Sequence, residues 1–401
     1  MTANMQPVTQ RVWLVYALFI AASFAGFFYC LILGQFNGDF FPQPVFAPIW
    51  TLFFVLIVCV LPHLLTYRLA GVLDKIRPRY VYEPAQGPLF ALLLIGSLSH
   101  IAATLLYGVG IMDREVYTAP TAVAPFIQVL NRVDPFYLGV FFILATPKRP
   151  SSDLLAIVLM ITIGFLRAGL GVFNYVFIAL AVKYSVELMT IFRRAPWVAV
   201  AAGAALPLVI SPLYELRNQL RGHSQFDLSM SEIIFGRFIG RLSAYSNVAF
   251  INQNGQSFDW AARALEPLFY VKQMLQPMLG SGIAPAMTPE KLLIAGTQSY
   301  EGYSSFMTGM PGNFIMAWSL SPGIAVLNLS LTIAMICAIL WISRFLHGGA
   351  ASAFGLSMLV YPLTSGVANE FSLLLMNTVI LLAFSIAFGR RRVAAGVVAR
   401  G

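Results

Sequence analysis

Residues 45–79 read VFAPIWTLFFVLIVCVLPHLLTYRLAGVLDKIRPR, an apolar run from Val45 to Tyr67 without Asp, Glu, Lys or Arg, followed closely by Arg68, Lys75, Arg77 and Arg79. About 20 apolar residues span the hydrocarbon core of a bilayer as a helix. Short loops rich in Lys and Arg are those that stay cytoplasmic. The stretch therefore reads as a membrane-spanning helix that ends on the cytoplasmic side. The rest of the chain can be parsed outward from it.

Upstream lies a first apolar run, 12–34, joined to the quoted stretch by Asn37-Gly38-Asp39-Phe40-Phe41-Pro42, an outward loop. That first run is too long for a signal-peptide core and lacks a clean cleavage pattern, so it is expected to remain as a helix. Downstream, 87–110 leads out to Met112-Asp113-Arg114-Glu115, and 122–146 returns to Lys148-Arg149. Runs 153–169 and 172–191 flank a tight turn at Arg167-Ala168-Gly169-Leu170-Gly171, and the second ends at Arg193-Arg194. Run 197–214 goes out. After it, hydropathy falls and charge rises over 215–303, a segment of roughly 90 residues and much longer than a structural connection needs. Such loops tend to carry function. Run 323–343 returns to Arg344, and runs 350–366 and 370–388 form a hairpin around Asn369-Glu370 that ends at Arg390-Arg391-Arg392.

The expectation is an all-α polytopic membrane protein of about ten (10–12) spanning helices. Helices one to seven fall in 1–214, one large periplasmic loop in 215–303, and helices eight to ten with a cytoplasmic tail in 304–401. Both termini are expected in the cytoplasm. Composition agrees. Only 10% of the 401 residues are charged and 59% are hydrophobic, with mean hydropathy +0.78, whereas a soluble domain carries about 25% charged residues. The net charge of +9 then reflects orientation in the membrane; no basic stripe with interleaved aromatics suggests nucleic-acid binding.

Several chemistries have no sequence basis. There is no GxxxxGK[ST] phosphate loop and no Asp-x-Asp, and the four histidines (His63, His100, His223, His347) show no zinc-ligand spacing. Neither a metal nor any other cofactor is expected. Cys30, Cys59 and Cys337 all lie within apolar runs, so no disulfide is expected.

The most suggestive residues open the large loop. Arg217/Arg221 and Arg237/Arg241 are two i,i+4 pairs, each on one face of a helix if the segment is helical. Like charges so placed repel unless an anion lies between them, and guanidinium forks suit phosphate oxygens. The plainer reading is that Glu215, Asp227, Glu232 and Glu266 neutralise these arginines. Arg132 with Asp134 in helix four is a second candidate, because intramembrane charge is a functional hypothesis by default. Arg167 in the following turn is a further possible phosphate ligand. Lys183 and Glu187 read as an i,i+4 pair explained by snorkelling. His223 is the one histidine of the outward loop and suits a general base. Glu301, Tyr303 and Glu370 are the other candidates for base or hydroxyl-binding roles.

With these residues in place, the chain resembles the bacterial O-antigen polymerase (Wzy-type) and O-antigen ligase superfamily of membrane glycosyltransferases. The resemblance rests on layout: many helices, one long periplasmic loop late in the chain, and the run Gly236-Arg237-Phe238-Ile239-Gly240-Arg241-Leu242-Ser243. The segment Pro311-Gly312-Asn313-Phe314, before a helix interrupted at Pro322-Gly323, adds to it. In the polymerases a glutamate often stands where Asn313 stands here, which leaves the position of the base open. The resemblance implies a GT-C-like fold in a bacterial inner membrane, with undecaprenyl-diphosphate-linked oligosaccharides as donor and acceptor. It also implies no metal or nucleotide cofactor, and leaves room for a chain-length regulator as partner. On it, Arg217, Arg221, Arg237, Arg241, Arg132 and Arg167 would bind diphosphate, and His223, Glu301 and Tyr303 would supply catalysis in lipopolysaccharide or related polysaccharide biosynthesis. Alternatives are a ligase moving the finished glycan to lipid A core, a polyprenyl-phosphate-sugar transferase using Asp39, and a lipid-linked-oligosaccharide flippase.

Overall fold

The computed structural model describes residues 8–76, 78–111, 120–167, 169, 171–195, 197–198, 201, 212, 240, 242–255, 265–285, 288 and 307–393. Among these the architecture is helical, with one two-stranded sheet. Five helices are long and apolar enough to cross a bilayer: α1 (Val8–Leu33), α2 (Ile49–Leu73), α3 (Gln86–Tyr107), α12 (Pro322–Ser343) and α14 (Ala368–Phe388). Two bent helix pairs raise the number to seven if each is counted as one span. These are α4 (Ala124–Leu130) with α5 (Pro135–Ala145), bent by 43°, and α7 (Val172–Lys183) with α8 (Ser185–Arg194), bent by 82°.

The described residues therefore hold five to seven candidate spans. Two of the expected ten helices are short: α6 (Pro150–Leu166) has 17 residues and α13 (Phe354–Ser365) has 12. The expected helix over 197–214 lies almost wholly outside the described residues. Three further short helices are α9 (Tyr245–Gln253), α10 (Phe269–Leu279) and α11 (Gly309–Leu320).

The two sequence signals that break and restart helices use the same chemistry. Asp134 caps α5 by accepting from the backbone N–H of Phe136 and Tyr137, with Pro135 at the first helical position. Ser321 caps α12 by accepting from Gly323 N–H, with Pro322 in the equivalent place. A capping side chain satisfies amides that the helix cannot, and proline at the first position has no amide to satisfy. In lipid, where an orphaned amide finds no water, such a cap makes a mid-span break tolerable.

Helix faces separate lipid from core. On α2, Phe53, Phe54, Ile57, Leu61, Leu64 and Leu65 are exposed, while Leu52, Val55, Leu56, Cys59 and Val60 are buried. So large an apolar outer surface would be a liability in water and suits acyl chains. Two buried clusters make up most of the interior. The larger joins α1, α3, α5, α6, α7, α12, α13 and α14 around Phe141, Phe354 and Phe371. The second joins the ends of α1 and α2 that flank residues 34–48 to α9, α10 and α11 around Phe36, Phe40, Tyr245 and Phe269. Helices α9 and α10, within the stretch read from sequence as the large loop, thus bury apolar side chains against the spanning helices.

One end of the bundle is stapled. Strand β1 (Tyr80–Pro84) pairs antiparallel with β2 (Gly389–Val393), setting Tyr82 opposite Arg391. Arg391 lies 3.5 Å from the Tyr80 ring centroid, and Arg392 pairs with Glu83 at 2.5 Å. Arg11 near the start of α1 donates to the Gly349 carbonyl at 2.8 Å. Residues near both ends of the described chain therefore share this basic end with Lys148 and Arg344. Trp13 and Trp341 sit exposed nearby, in the second turn of α1 and the last turn of α12, as expected of tryptophans at a membrane interface.

Candidate functional site

Charge within the spanning region meets where four helices converge. Helix α5 has 11 residues, a rise of about 16 Å, so Asp134 at its start stands well above Ala145 and the basic end. Asp134 N–H donates to Asn377 Oδ1 of α14 at 3.0 Å, and Asn377 Nδ2 donates to the Arg132 carbonyl at 3.4 Å and the Leu373 carbonyl at 2.9 Å. The broken span is thus tied at its break to the middle of α14.

Arg167, the residue that ends α6, reaches into the same place. Its Nη2 donates to His100 Nδ1 at 2.8 Å and its Nε to Thr104 Oγ1 at 3.3 Å, both on α3. His100 Nε2 lies 2.8 Å from the Val133 carbonyl. A guanidinium can only donate and a carbonyl can only accept. The imidazole is therefore held neutral, with its hydrogen on Nε2. Arg167 also lies within Coulombic reach of Asp134.

The guanidinium rests on Gly110, whose φ is +76° and whose missing Cβ would stand 2.8 Å from Nε. Any other residue there would both strain the backbone and displace the arginine. Close by, Tyr137, Tyr175 and Tyr361 gather their rings, with centroid separations of 5.6 Å for both Tyr137–Tyr175 and Tyr175–Tyr361. Glu370, in the first turn of α14, accepts from Ser365 Oγ.

The sequence paired Arg132 with Asp134, and the geometry differs. Asp134 spends its carboxylate on the helix cap and faces Arg167, while Arg132 is exposed and its side chain makes no ion pair among the described residues. Lys183 and Glu187 were also read as partners, but a bend at Tyr184 separates them. Lys183 pairs with Asp153 at 2.6 Å, and Glu187 pairs with Lys148. Glu266, considered as a counter-charge for the loop arginines, pairs with Lys272.

Arg217, Arg221, Arg237, Arg241, His223, Glu301 and Tyr303 lie outside the described residues. His100 was not singled out from sequence. The signal available was an ionisable side chain inside an apolar run, which is itself a functional pointer.

A second polar group forms where the connection between α1 and α2 meets α9 and α11. Ser246 Oγ donates to Asn37 Oδ1, and Asn247 Nδ2 donates to Asp39 Oδ2 at 3.1 Å and to the Met307 carbonyl. Asn313 Nδ2 donates to the Gly366 carbonyl. Tight backbone contact brings these segments together: a Cβ on Gly366 would stand 2.2 Å from Gly309 C. Among the described residues no group of three His, Cys, Asp or Glu side chains is arranged to hold a metal ion.

This is a multi-pass membrane protein with five to seven candidate spans among the described residues. Comparison with protein families, with curated proteins and with solved structures finds no match for the chain.

Proposed function

We propose that the protein is a glycosyltransferase of a bacterial inner membrane that polymerises undecaprenyl-diphosphate-linked oligosaccharide repeat units at the periplasmic face, without a metal. The observation that carries the reading is Arg167. It is a cation at the end of α6 whose hydrogen bonds go to two neutral acceptors, His100 and Thr104, which use two of its five N–H groups, while Asp134, within Coulombic reach, spends its carboxylate on the α5 cap. A lipid-linked diphosphate presents its anion at the membrane boundary, with its polyprenyl chain among apolar helices. Positive charge aimed at the leaving diphosphate would stabilise the charge that develops on it in the transition state. The paired arginines Arg217/Arg221 and Arg237/Arg241 add to this reading from the sequence. Exposed Arg132 could meet a second diphosphate, that of the acceptor, and His223, Glu301 or Tyr303 would serve as base toward the attacking sugar hydroxyl.

Gene deletion tests the reading. Loss of the polymerase is expected to leave lipid A core capped with a single repeat unit, or, in a capsule or exopolysaccharide system, to abolish the polymer. If long polymer instead accumulates on undecaprenyl diphosphate while single units fail to reach lipid A core, the protein is a ligase. Normal polymer on lipid A core would remove it from this chemistry.

A further inference from the structure

The basic end carries a feature that glycan transfer does not use. Helix α7 runs into the bundle, burying Val172, Ile178, Ala179, Ala181, Val182 and Lys183, whereas α8 leaves it at 82° and buries no residue. At 10 residues, or about 15 Å, α8 cannot cross a bilayer.

The bend is fixed from both sides. Lys183 Nζ, almost wholly buried, donates to Asp153 Oδ1 at 2.6 Å and to the Pro147 carbonyl at 3.1 Å. Tyr184 OH donates to Asp153 Oδ2 at 2.7 Å. In the first turn of α8, Glu187 pairs with Lys148. These contacts set the direction in which α8 departs.

Its sequence, SVELMTIFRR, is amphipathic. At 100° per residue, Leu188, Met189 and Phe192 fall on one face, and Glu187, Thr190 and Arg194 on the opposite one. Leu188 packs on the main core, so the apolar face is turned toward the bundle and the bilayer. Val186 and Ile191 stand to either side, between the two faces, and are 50% and 43% exposed, and Trp197 just beyond the helix is 69% exposed. Arg193 and Arg194 are exposed and make no ion pair among the described residues. A helix with this division lies in the plane of the interface, with its apolar arc in the acyl boundary and its cations at the headgroups.

We propose that α8 is an in-plane membrane anchor that binds anionic phospholipid headgroups of the adjacent leaflet through Arg193 and Arg194. The occupant is the leaflet itself, because α8 turns away from the buried helix α7 at the basic end of the bundle and offers unpaired positive charge beside exposed apolar side chains. Lys148 on the neighbouring turn is held by Glu187, which leaves the arginine pair to meet lipid phosphate.

The test uses the full chain with Ile191→Cys carrying an environment-sensitive fluorophore, reconstituted in phosphatidylcholine bilayers containing phosphatidylglycerol. The label should report an apolar environment. Headgroup-labelled phosphatidylglycerol should quench it at least about twofold more strongly than headgroup-labelled phosphatidylcholine, given the attraction expected of each basic residue near an anionic surface. In the Arg193→Gln/Arg194→Gln background, both exposed positions, the insertion should persist and the preference between quenchers should vanish. A water-like label in wild-type bilayers would overturn the in-plane placement. Equal quenching by the two lipids in wild type, or a preference unchanged by the double substitution, would overturn the headgroup site.

Discussion

Arg167 donates from Nη2 to His100 Nδ1 at 2.8 Å, and His100 passes its own hydrogen from Nε2 to the Val133 carbonyl at 2.8 Å, so one imidazole couples the end of α6 to the break between α4 and α5. His100→Ala should leave a guanidinium N–H and the Val133 carbonyl without partners in the spanning region. The expected loss is about 1–3 kcal/mol of stability for such an unsatisfied group. Gly110→Ala should displace the same guanidinium sterically while leaving His100 intact. Thermal unfolding in detergent measures both. If neither variant melts below wild type, the coupling is not what holds this region.

The buried pair Lys183–Asp153 gives a separate expectation. Asp153→Asn removes the partner of a cation whose side chain is 3% exposed, and breaking a buried pair this way costs about 3–5 kcal/mol. Replacing both residues together, as Asp153→Leu/Lys183→Met, should recover most of that loss, because no charge is then left unpaired. Equal melting temperatures for the single and double variants would contradict this account.

For the proposed polymerase, Arg237→Lys should lose most activity although the charge is kept, since an ammonium cannot supply a bidentate fork to phosphate. Arg167→Lys should behave likewise, with the added loss of the Thr104 contact. Polymer length on a gel, in a strain lacking the chromosomal copy, is the readout. Wild-type polymer from both variants would assign these arginines a structural role.

The pairing of β1 with β2 sets a topological expectation. A reporter inserted near residue 79 and one following Arg392 should lie on the same side, the cytoplasm, and one near Gln256 on the other. The pair Tyr82→Cys/Arg391→Cys, directly opposite in register, should form a disulfide under mild oxidation. Reporters at the first two sites giving opposite signs would contradict the sheet.

Much of the spanning architecture is legible in hydropathy and loop charge, because both follow from one cause, the cost of placing polar groups in hydrocarbon. The runs expected at 12–34, 45–67, 87–110, 323–343 and 370–388 match α1, α2, α3, α12 and α14 to within several residues. Hydropathy does not register direction. The break at Asp134-Pro135 and the 82° turn at Tyr184 occur within runs that stay apolar on average, so each was read as one helix. The i,i+4 pairing of Lys183 with Glu187 failed for that reason: the spacing rule needs a continuous helix, and the helix ends between them. The pairing of Arg132 with Asp134 failed because aspartate before a proline is first of all a cap. The partnership of His100 with Arg167 spans 67 residues, and no local pattern announces it. The β1–β2 sheet was missed because its strands lie in short polar connections, where a reading by hydropathy expects only loop.

That small sheet constrains the order in which the protein can be made. Residues 80–84 emerge and are delivered to their side of the membrane early, but their partner strand, 389–393, is more than 300 residues behind. Through most of synthesis β1 stands as an open edge, the kind of surface that invites pairing with another chain. Its charge and shortness are then protective: Glu83 and Pro84, in a strand of five residues, discourage a foreign strand from docking. The sheet acts as a late clasp, closing around helices α3 to α14 only after every one of them has been inserted.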